Sequence, residues 1–436
     1  MKKIFNKALL ATSLAMVIAP VAYATNGLAP TGLGQVHKAM GGAAVGNPEN
    51  TMSLATNPAS ASFVDDGYDV ELELFKPNRT VIRKELPATM GGAPSVTYKG
   101  DEEPIFFVPG GAYKRSINNK YAVGISVYGN GGMNTEFKTG PTFISGGEPG
   151  FPPAGTEIPF SRTVEHTGIN LEQLFISPTL SFKVNNQHSF GISTNLVYQR
   201  FEAKGLDSLK GNSSDPSSFT SKGKSSATGI GATLGWMGHF NDKFTAGVSY
   251  RLKTKMGKFK EYKGLFPNEG QMDVPAALTV GMSSQITPKT KIALDVQQIY
   301  YSKTAAIGNS ASKVDTNGHP LKFGVKDGPG FGWDDQTVVK VGLKHQMNSK
   351  LALMAGYNHG KSPVGPEDTF FGALTPAVVE DHLSLGLEYK IGKGSSIVSS
   401  YTRTFKNKVE GDLSKRQPYD LEMDQHAIGI GYSRKF

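Results

Sequence analysis

Tyr68-Asp69-Val70-Glu71-Leu72-Glu73-Leu74 places an apolar side chain at every second residue and a carboxylate between each pair. In an extended strand, successive side chains point to opposite faces. This stretch therefore has one dry face and one face carrying three acids. Charges in a row along a strand are costly unless that face meets water, so the acidic face is expected to line a wet interior and the apolar face to meet lipid. The same alternation recurs in Leu174, Ile176, Leu180, Phe182 and Val184, and in Phe190, Ile192, Leu196 and Tyr198. It returns in Ile292, Leu294 and Val296, and in Leu383, Leu385, Leu387 and Tyr389.

Reading outward with this period predicts strands over 68–76, 105–114, 121–128, 171–184, 188–201, 226–240, 243–254, 276–287, 290–301, 336–347, 350–359, 381–391, 395–405 and 426–436. The count is fourteen, an even number, as a closed bacterial barrel requires. The connections alternate between short and long throughout. Asn118-Asn119-Lys120, Asn185-Asn186-Gln187, Asn241-Asp242, Thr287-Pro288-Lys289, Met347-Asn348-Ser349 and Gly392-Lys393-Gly394 are turns; 77–104, 129–170, 202–225, 255–275, 302–335, 360–380 and 406–425 are long. Outer-membrane barrels have this asymmetry, with short periplasmic turns and long outer loops. A soluble sandwich has no reason for it, and a propeller would show a motif shared between blades. The expected fold is all-β: a fourteen-stranded antiparallel transmembrane β-barrel in the outer membrane.

The ends fit export to that membrane. Lys2, Lys3 and Lys7 precede an apolar run over 8–21, and Ala22-Tyr23-Ala24 supplies the small residues of a cleavage site, so residues 1–24 are expected to be a signal peptide. Loss of its three lysines lowers the formal net charge from +9 to +6. The remaining basic residues form no dense run, which speaks against nucleic-acid binding. The mean hydropathy of −0.28 suits a barrel, whose strands expose only alternate residues to lipid. The chain has no cysteine, so neither a disulfide scaffold nor thiol chemistry is available. Phe436 closes a strand with Ile428, Ile430 and Tyr432 on one face, resembling the signal read by the barrel assembly machinery; Arg434 on that face departs from the pattern.

Catalytic motifs are missing. Gly191-Ile192-Ser193-Thr194-Asn195 and Gly281-Met282-Ser283-Ser284-Gln285 lack the second glycine of a nucleophile elbow. Gly223-Lys224-Ser225 lacks the leading glycine of a phosphate loop, and no histidine pair has metalloprotease spacing. The chain is expected to be no enzyme and to hold no cofactor or metal.

Residues 25–66 do not alternate. They are rich in Gly and Ala, which allow close backbone packing. A barrel of fourteen strands is too wide for side chains to fill, so this segment is expected to plug it, with residues 67–436 forming the barrel. Asn26-Gly27, Met40-Gly41-Gly42-Ala43 and Asn57-Pro58-Ala59 resemble the N-terminal hatch of the FadL/TodX family of outer-membrane transporters for long-chain fatty acids and aromatic hydrocarbons. Asp273-Val274-Pro275 with the strand pair through Tyr300-Tyr301 resembles a second family segment. Gly332-Trp333-Asp334-Asp335, Val341-Gly342-Leu343, Ala355-Gly356-Tyr357 and Ser362-Pro363 resemble a third.

The resemblance implies passive diffusion of a hydrophobic molecule from an outer groove into the lumen. Exit is sideways into the bilayer, through a gap at a kinked third strand. It implies that Gly41, Gly42, Asn57, Pro58 and Ala59 belong to the gating hatch, the last three beside the gap. Gly124 and Gly129 are the candidate gap residues on the third strand. For the groove, Met256, Phe259, Tyr262, Leu265 and Phe266 at near-helical spacing, with Lys255, Lys258, Lys260 and Lys263 among them, suggest an amphipathic turn that offers an apolar strip to an acyl chain and ammonium groups to a carboxylate. The other reading pairs these lysines with lipopolysaccharide and packs the aromatics beneath the loop. The expected partners are a hydrophobic small molecule, the lipid bilayer and lipopolysaccharide, with the chain a monomer. An aromatic-hydrocarbon channel, an open general porin and a surface-receptor barrel stay open beside the fatty-acid reading.

Overall fold

The computed structural model describes residues 26–87, 92–102, 105–145, 153–162, 166–415 and 418–436; the expected signal peptide, residues 1–24, lies outside them. Among these residues fourteen long strands close into a barrel: β1 (Gly67–Arg83), β2 (Phe106–Ser116), β3 (Tyr121–Phe137), β4 (Thr167–Lys183), β5 (His188–Lys204), β6 (Ser225–Asn241), β7 (Phe244–Arg251), β8 (Ala277–Thr287), β9 (Thr290–Ile299), β10 (Gln336–Gln346), β11 (Leu351–Gly360), β12 (Asp381–Gly392), β13 (Ser395–Val409) and β14 (Tyr419–Lys435). Every neighbouring pair is antiparallel, and β1 closes the ring on β14 from Gly67↔Lys435 to Arg83↔Tyr419. Closure pairs the first strand with the last, so the sheet has no terminal edge strand, as a spanning sheet requires.

The alternation of β1 sorts as its sequence demands. Val70, Leu72 and Leu74 face outward and are exposed, while Asp69 and Glu73 are buried inside. Ile428 and Ile430 continue the outer belt on β14. At the short-turn end, the Phe436 ring lies 6.0 Å from Tyr68 and 6.4 Å from Tyr113, an aromatic girdle. Arg434 is accommodated there by donating to Lys393 O (2.9 Å) and Ser395 Oγ (2.7 Å).

Three strands run well past their sequence-based limits: β1 ends at Arg83, β3 at Phe137, and β14 begins at Tyr419. Their backbone ladder continues beyond the apolar belt, where outward residues turn polar. Asn78 Nδ2 donates to Asp424 and Arg403 pairs with Asp424 at 2.8 Å. The hydrophobic alternation ends at the lipid boundary although the strand does not.

The long connections fold back over the barrel mouth. Phe143 and Phe160 from the β3–β4 connection, Phe219 from β5–β6, Phe266 from β7–β8, Phe323 and Trp333 from β9–β10, and Phe371 from β11–β12 share one buried apolar cluster. Inside the barrel, residues 26–66 form the hatch: helix α1 (Gln35–Ala39), helix α2 (Ser53–Thr56) and a 3-10 turn over Pro58–Ser62.

Candidate functional site

The hatch is fixed to the wall by charge and by glycine. The acidic ladder of β1 is its dock. Asp69 accepts from Thr51 N and Asn50 Nδ2 (both 2.9 Å), Glu71 accepts from Gln35 N (2.9 Å), and Glu73 pairs with Lys38 at 2.7 Å. Across the lumen, Asp295 of β9 accepts from Ala44 N (2.8 Å) and Val45 N (3.0 Å). Glu49 bridges Lys291 (2.8 Å) and Lys344 (2.7 Å), and Lys344 reaches on to Glu388 (2.8 Å). Burial alone would raise the Glu49 carboxyl; Lys344 and Lys291 reverse this and hold it well below the usual carboxylate range.

Between these charges the wall is bare. Gly191 faces Gly235, Gly247 faces Gly281, and Gly342 faces Gly356, each pair directly opposed across neighbouring strands. Pro58–Ala59 lies over the first pair, Val45–Gly46 over the second and Met40–Gly41 over the third. A Cβ at Gly356 would stand 2.0 Å from Gly41 N, and one at Gly191 2.3 Å from Pro58 C. Gly41 and Gly42 also turn with φ of 66° and 88°, a region that disfavours any side chain.

This changes the place of several predicted residues. Asn57 donates from Nδ2 to Val45 O (2.9 Å) and Trp236 O (3.0 Å) and caps the turn by accepting from Ala59 N (3.0 Å). Ala59 O accepts from Ser189 Oγ (2.9 Å) and Ser181 Oγ (3.2 Å). Asn57, Pro58 and Ala59 thus anchor the hatch to β4, β5 and β6 rather than standing at a break in β3. Gly124 is paired on both sides, with Lys114 and Thr179, and a Cβ there would meet Leu54 at 2.3 Å. It is a hatch seat, not a bend.

The break lies a few residues further along β3. The β3–β4 register slips between Gly129 and Gly131, leaving Asn130 as an extra residue. The β2–β3 ladder runs no further toward the loops than Gly110↔Tyr128. Beyond it the outer end of β3 is next joined at Glu136, by a bridge to Asp101. Between these points no ladder bond joins the β2 side of β3 among the described residues, a window in the backbone ladder that Arg79 of β1 crosses by donating to Asn134 O (2.5 Å) and Oδ1 (2.7 Å).

The first hatch residues stand behind that window. Gly131, with φ of 136°, leaves room for Leu28 O where a Cβ would be 1.6 Å away. Leu28 N (2.9 Å) and Ala29 N (3.3 Å) both donate to the Tyr301 hydroxyl, which donates in turn to Asn26 O. Arg251 donates to Asn130 Oδ1 (2.7 Å), and Asn130 Nδ2 to Gln173 Oε1 (3.3 Å). Arg251 Nε and Gln173 Nε2 are buried without a hydrogen-bond partner among the described residues. A cavity of about 10 Å³ sits among Leu28, Ala29, Asn130, Gln173, Arg251, Val274, Pro275, Ile299 and Tyr301. It has room for about one water molecule. A cavity of about 340 Å³ opens on the outer side between β3, β4 and β5, but Glu136, Arg200, Glu202, Lys204 and Lys224 line it, a wet surface that suits no greasy ligand.

The expected groove over 255–275 is not an amphipathic helix. The chain makes a two-residue strand (Lys255–Met256), one 3-10 turn (Lys260–Tyr262) and a sharp turn over Pro267–Gly270 with left-handed Asn268 and Glu269. Phe259, Tyr262 and Phe266 are buried around Phe201, with ring centroids 5.6, 4.9 and 4.7 Å away. Tyr262 Oη also donates to Gly223 O (2.6 Å) and accepts from Ala203 N (3.1 Å). Lys258 and Lys263 point to solvent, paired with Glu269 (2.6 Å) and Asp215 (2.9 Å). Phe259, Tyr262 and Phe266 share the large cap cluster with the hatch residues Leu28 and Ala29, whereas Met256 packs deeper, with Tyr128, Phe175, Val197 and Val274 beside Leu33 and Ala55. Sequence reading did not single out Asn130, Gln173 or Arg251; Tyr301 was visible only as part of a resembling segment.

Residues 12–150 and 165–436 match the model of a family described as outer membrane protein transport protein (OMPP1/FadL/TodX). No curated protein matches the sequence. Among solved structures, the fold is similar to the Pseudomonas putida toluene transporter TodX, with 18% identity, TM-score 0.63, and 93% of this chain and 99% of that one covered. It is likewise similar to a Pseudomonas aeruginosa FadL homologue (15%, 0.63, 96% and 100%) and to the Ralstonia pickettii toluene transporter TbuX (16%, 0.60, 93% and 99%).

Proposed function

The chain belongs to the outer membrane protein transport protein (OMPP1/FadL/TodX) family and is an outer-membrane channel for hydrophobic compounds, and we propose that its substrates are long-chain fatty acids or acyl amphiphiles with an anionic head. The observation that carries this reading is the Arg251 guanidinium, its buried Nε without a partner among the described residues, beside a small cavity lined in part by Leu28, Val274 and Ile299 and a window in the wall. A carboxylate can satisfy that donor; a neutral hydrocarbon cannot. In this reading the ligand enters through the aromatic cap, rests its head at Arg251, and leaves between β2 and β3 as Asn26–Ala29 swing aside, driven only by its own gradient. Asn57, Pro58, Ala59, Gly41 and Gly42 hold the rest of the hatch still. The short turns and both ends of the mature chain face the periplasm, and the monomer is inserted by the barrel assembly machinery, which reads the strand ending at Phe436.

The test compares binding of oleate and of toluene to the purified full-length protein, with and without Arg251→Gln. A hydrogen bond to a charged group contributes roughly 1.5–3 kcal/mol, so oleate affinity is expected to fall at least tenfold and toluene affinity to stay within a factor of about two. Toluene binding that outcompetes oleate, with no effect of the substitution, would establish an aromatic-hydrocarbon channel instead. A steady large single-channel conductance would reject the plugged channel in favour of an open porin.

A further inference from the structure

The six short turns repeat one chemistry. Each carries an exposed apolar side chain at the end of the lipid-facing wall: Ile117, Val184, Phe240, Ile286, Met347 and Ile391. In four of them a lysine follows three residues later, at Lys120, Lys243, Lys289 and Lys350; Lys183 adjoins Val184, and Lys390 and Lys393 flank Ile391. Turn chemistry fixes the positions. The Oδ1 of Asn118, Asn241 and Asn348 accepts from the backbone N–H of Lys120 (2.8 Å), Lys243 (2.9 Å) and Lys350 (2.9 Å). An asparagine that bonds its own backbone two residues on makes a tight turn, and here it holds each lysine at the tip. Lys120, Lys243, Lys289, Lys350, Lys390 and Lys393 are exposed and have no ion pair among the described residues. Asp242 is the sole acid in the turns themselves. Beside the turns, Lys114 and Lys435 pair with Asp66 and Asp65 at the start of the barrel, which leaves the turn lysines as the uncompensated charge of this rim.

We propose that the short-turn rim is a binding belt for anionic glycerophospholipid headgroups, with the apolar residues in the acyl region and the ring of lysines on the phosphates. Lysine stems lie along apolar surface while their ammonium groups reach the interface. A basic residue near an anionic membrane surface strengthens the contact about fivefold, the equivalent of ~1 kcal/mol. The belt's net positive charge, next to a continuous lipid-facing wall, selects an anionic lipid over a zwitterionic one. The proposal rests on the reading that the short turns face the periplasm, where the leaflet is glycerophospholipid.

The experiment measures lipids retained by the full-length protein, by native mass spectrometry, after exchange into mixed phosphatidylglycerol and phosphatidylethanolamine vesicles. Wild type is expected to retain phosphatidylglycerol selectively, and to lose that preference as ionic strength rises. The combined variant Lys120→Gln, Lys243→Gln, Lys289→Gln, Lys350→Gln and Lys393→Gln should reduce the preference by more than about tenfold. The matching lysine-to-arginine set should keep it, and Lys258→Gln with Lys263→Gln should leave it unchanged. The wild-type salt dependence needs no variant to fold. Equal retention of the two lipids, or a preference insensitive to salt, overturns the belt while leaving the transport reading intact. Selective retention of lipopolysaccharide by the rim lysines overturns the orientation as well.

Discussion

Gly356→Val tests whether the wall glycines hold the hatch. The Cβ alone would lie 2.0 Å from Gly41 N, 2.1 Å from Met40 C and 2.7 Å from Gly41 Cα. Relaxed contacts need roughly 3.5–4.0 Å, so the Met40–Gly41 turn must retreat by about 1.5 Å or more. It has little room to do so. Positions for a Cβ on Gly41 are 2.7 Å from Tyr357 N and O, Asn358 Nδ2 donates to Gly41 O at 3.2 Å, and the facing Gly342 is pressed against Met40. Overpacking costs roughly 1–3 kcal/mol, and an orphaned buried carbonyl adds about 1–3. The hatch should therefore lose about 2–6 kcal/mol of docking while the barrel, whose ladder uses only backbone, stays closed. Planar-bilayer conductance reads the outcome, because a displaced plug opens a wide pore: frequent large openings are expected from Gly356→Val and none from Gly392→Val, where nothing lies within 4 Å. A silent, normally melting Gly356→Val protein would show that the glycine pairs do not seat the hatch.

Tyr301→Phe removes the hydroxyl that joins Leu28 N, Ala29 N and Asn26 O; hydrogen exchange at Leu28 and Ala29 should quicken by about tenfold or more, with Ala44 and Val45 unchanged on their Asp295 anchor. Glu49 carries a pH signature: its carboxyl is depressed in the fold by Lys344 and Lys291, so its stabilisation is complete above the unfolded value near ~4.3 and is lost only as pH falls through the lower folded value. The melting difference between wild type and Glu49→Gln should accordingly stay constant from about pH 5 to 8 and narrow below about pH 4. Phe259→Ser and Phe266→Ser empty buried positions around Phe201 and should each cost about 3–5 kcal/mol locally, seen as proteolysis of the 255–275 loop; Lys258→Gln, at an exposed pair, should change proteolysis little.

The period of two in β1 was legible because each side chain's environment is set by its own strand: lipid on one side, hatch or water on the other. The hatch contacts were not legible. That Glu73 meets Lys38, and Asp69 meets Thr51, depends on how a separate segment is rotated inside the barrel, which no local pattern encodes. Gly124 read as a bend because a strand glycine commonly marks one; here the missing side chain makes room for Leu54. Met256, Phe259, Tyr262 and Phe266 read as one face of a helix because loops also repeat every three or four residues. What distinguishes them is the cap from other loops that buries three of them, and the partners Asp215 and Glu269 that occupy Lys263 and Lys258. The irregularity at Asn130 adjoins Gly129, one of the two candidate gap residues; what the glycine-rich, polar start of the loop concealed is that the strand continues to Phe137.

The distribution of anchors decides which part of the hatch a diffusing ligand can move. Residues 35–59 are held by Asp69, Glu71, Glu73, Asp295, the Glu49–Lys344 pair and Asn57. Releasing all of these together would cost well over ~10 kcal/mol at roughly 1.5–3 kcal/mol for each bond to a charged group. A ligand with no coupled energy source can supply only its own differential affinity for the open form. Asn26–Ala29, by contrast, meet the wall at the neutral hydroxyl of Tyr301 and in apolar packing, where each neutral hydrogen bond contributes about 0.5–1.5 kcal/mol. They also join the same apolar cluster as the cap aromatics. A ligand that threads that cluster must repack against Leu28 and Ala29 before it reaches Arg251, so the weak end of the hatch is the one it meets first. In the proposed route, opening at the β3 window requires a displacement of these few residues, with the glycine-seated remainder left in place to keep the lumen shut.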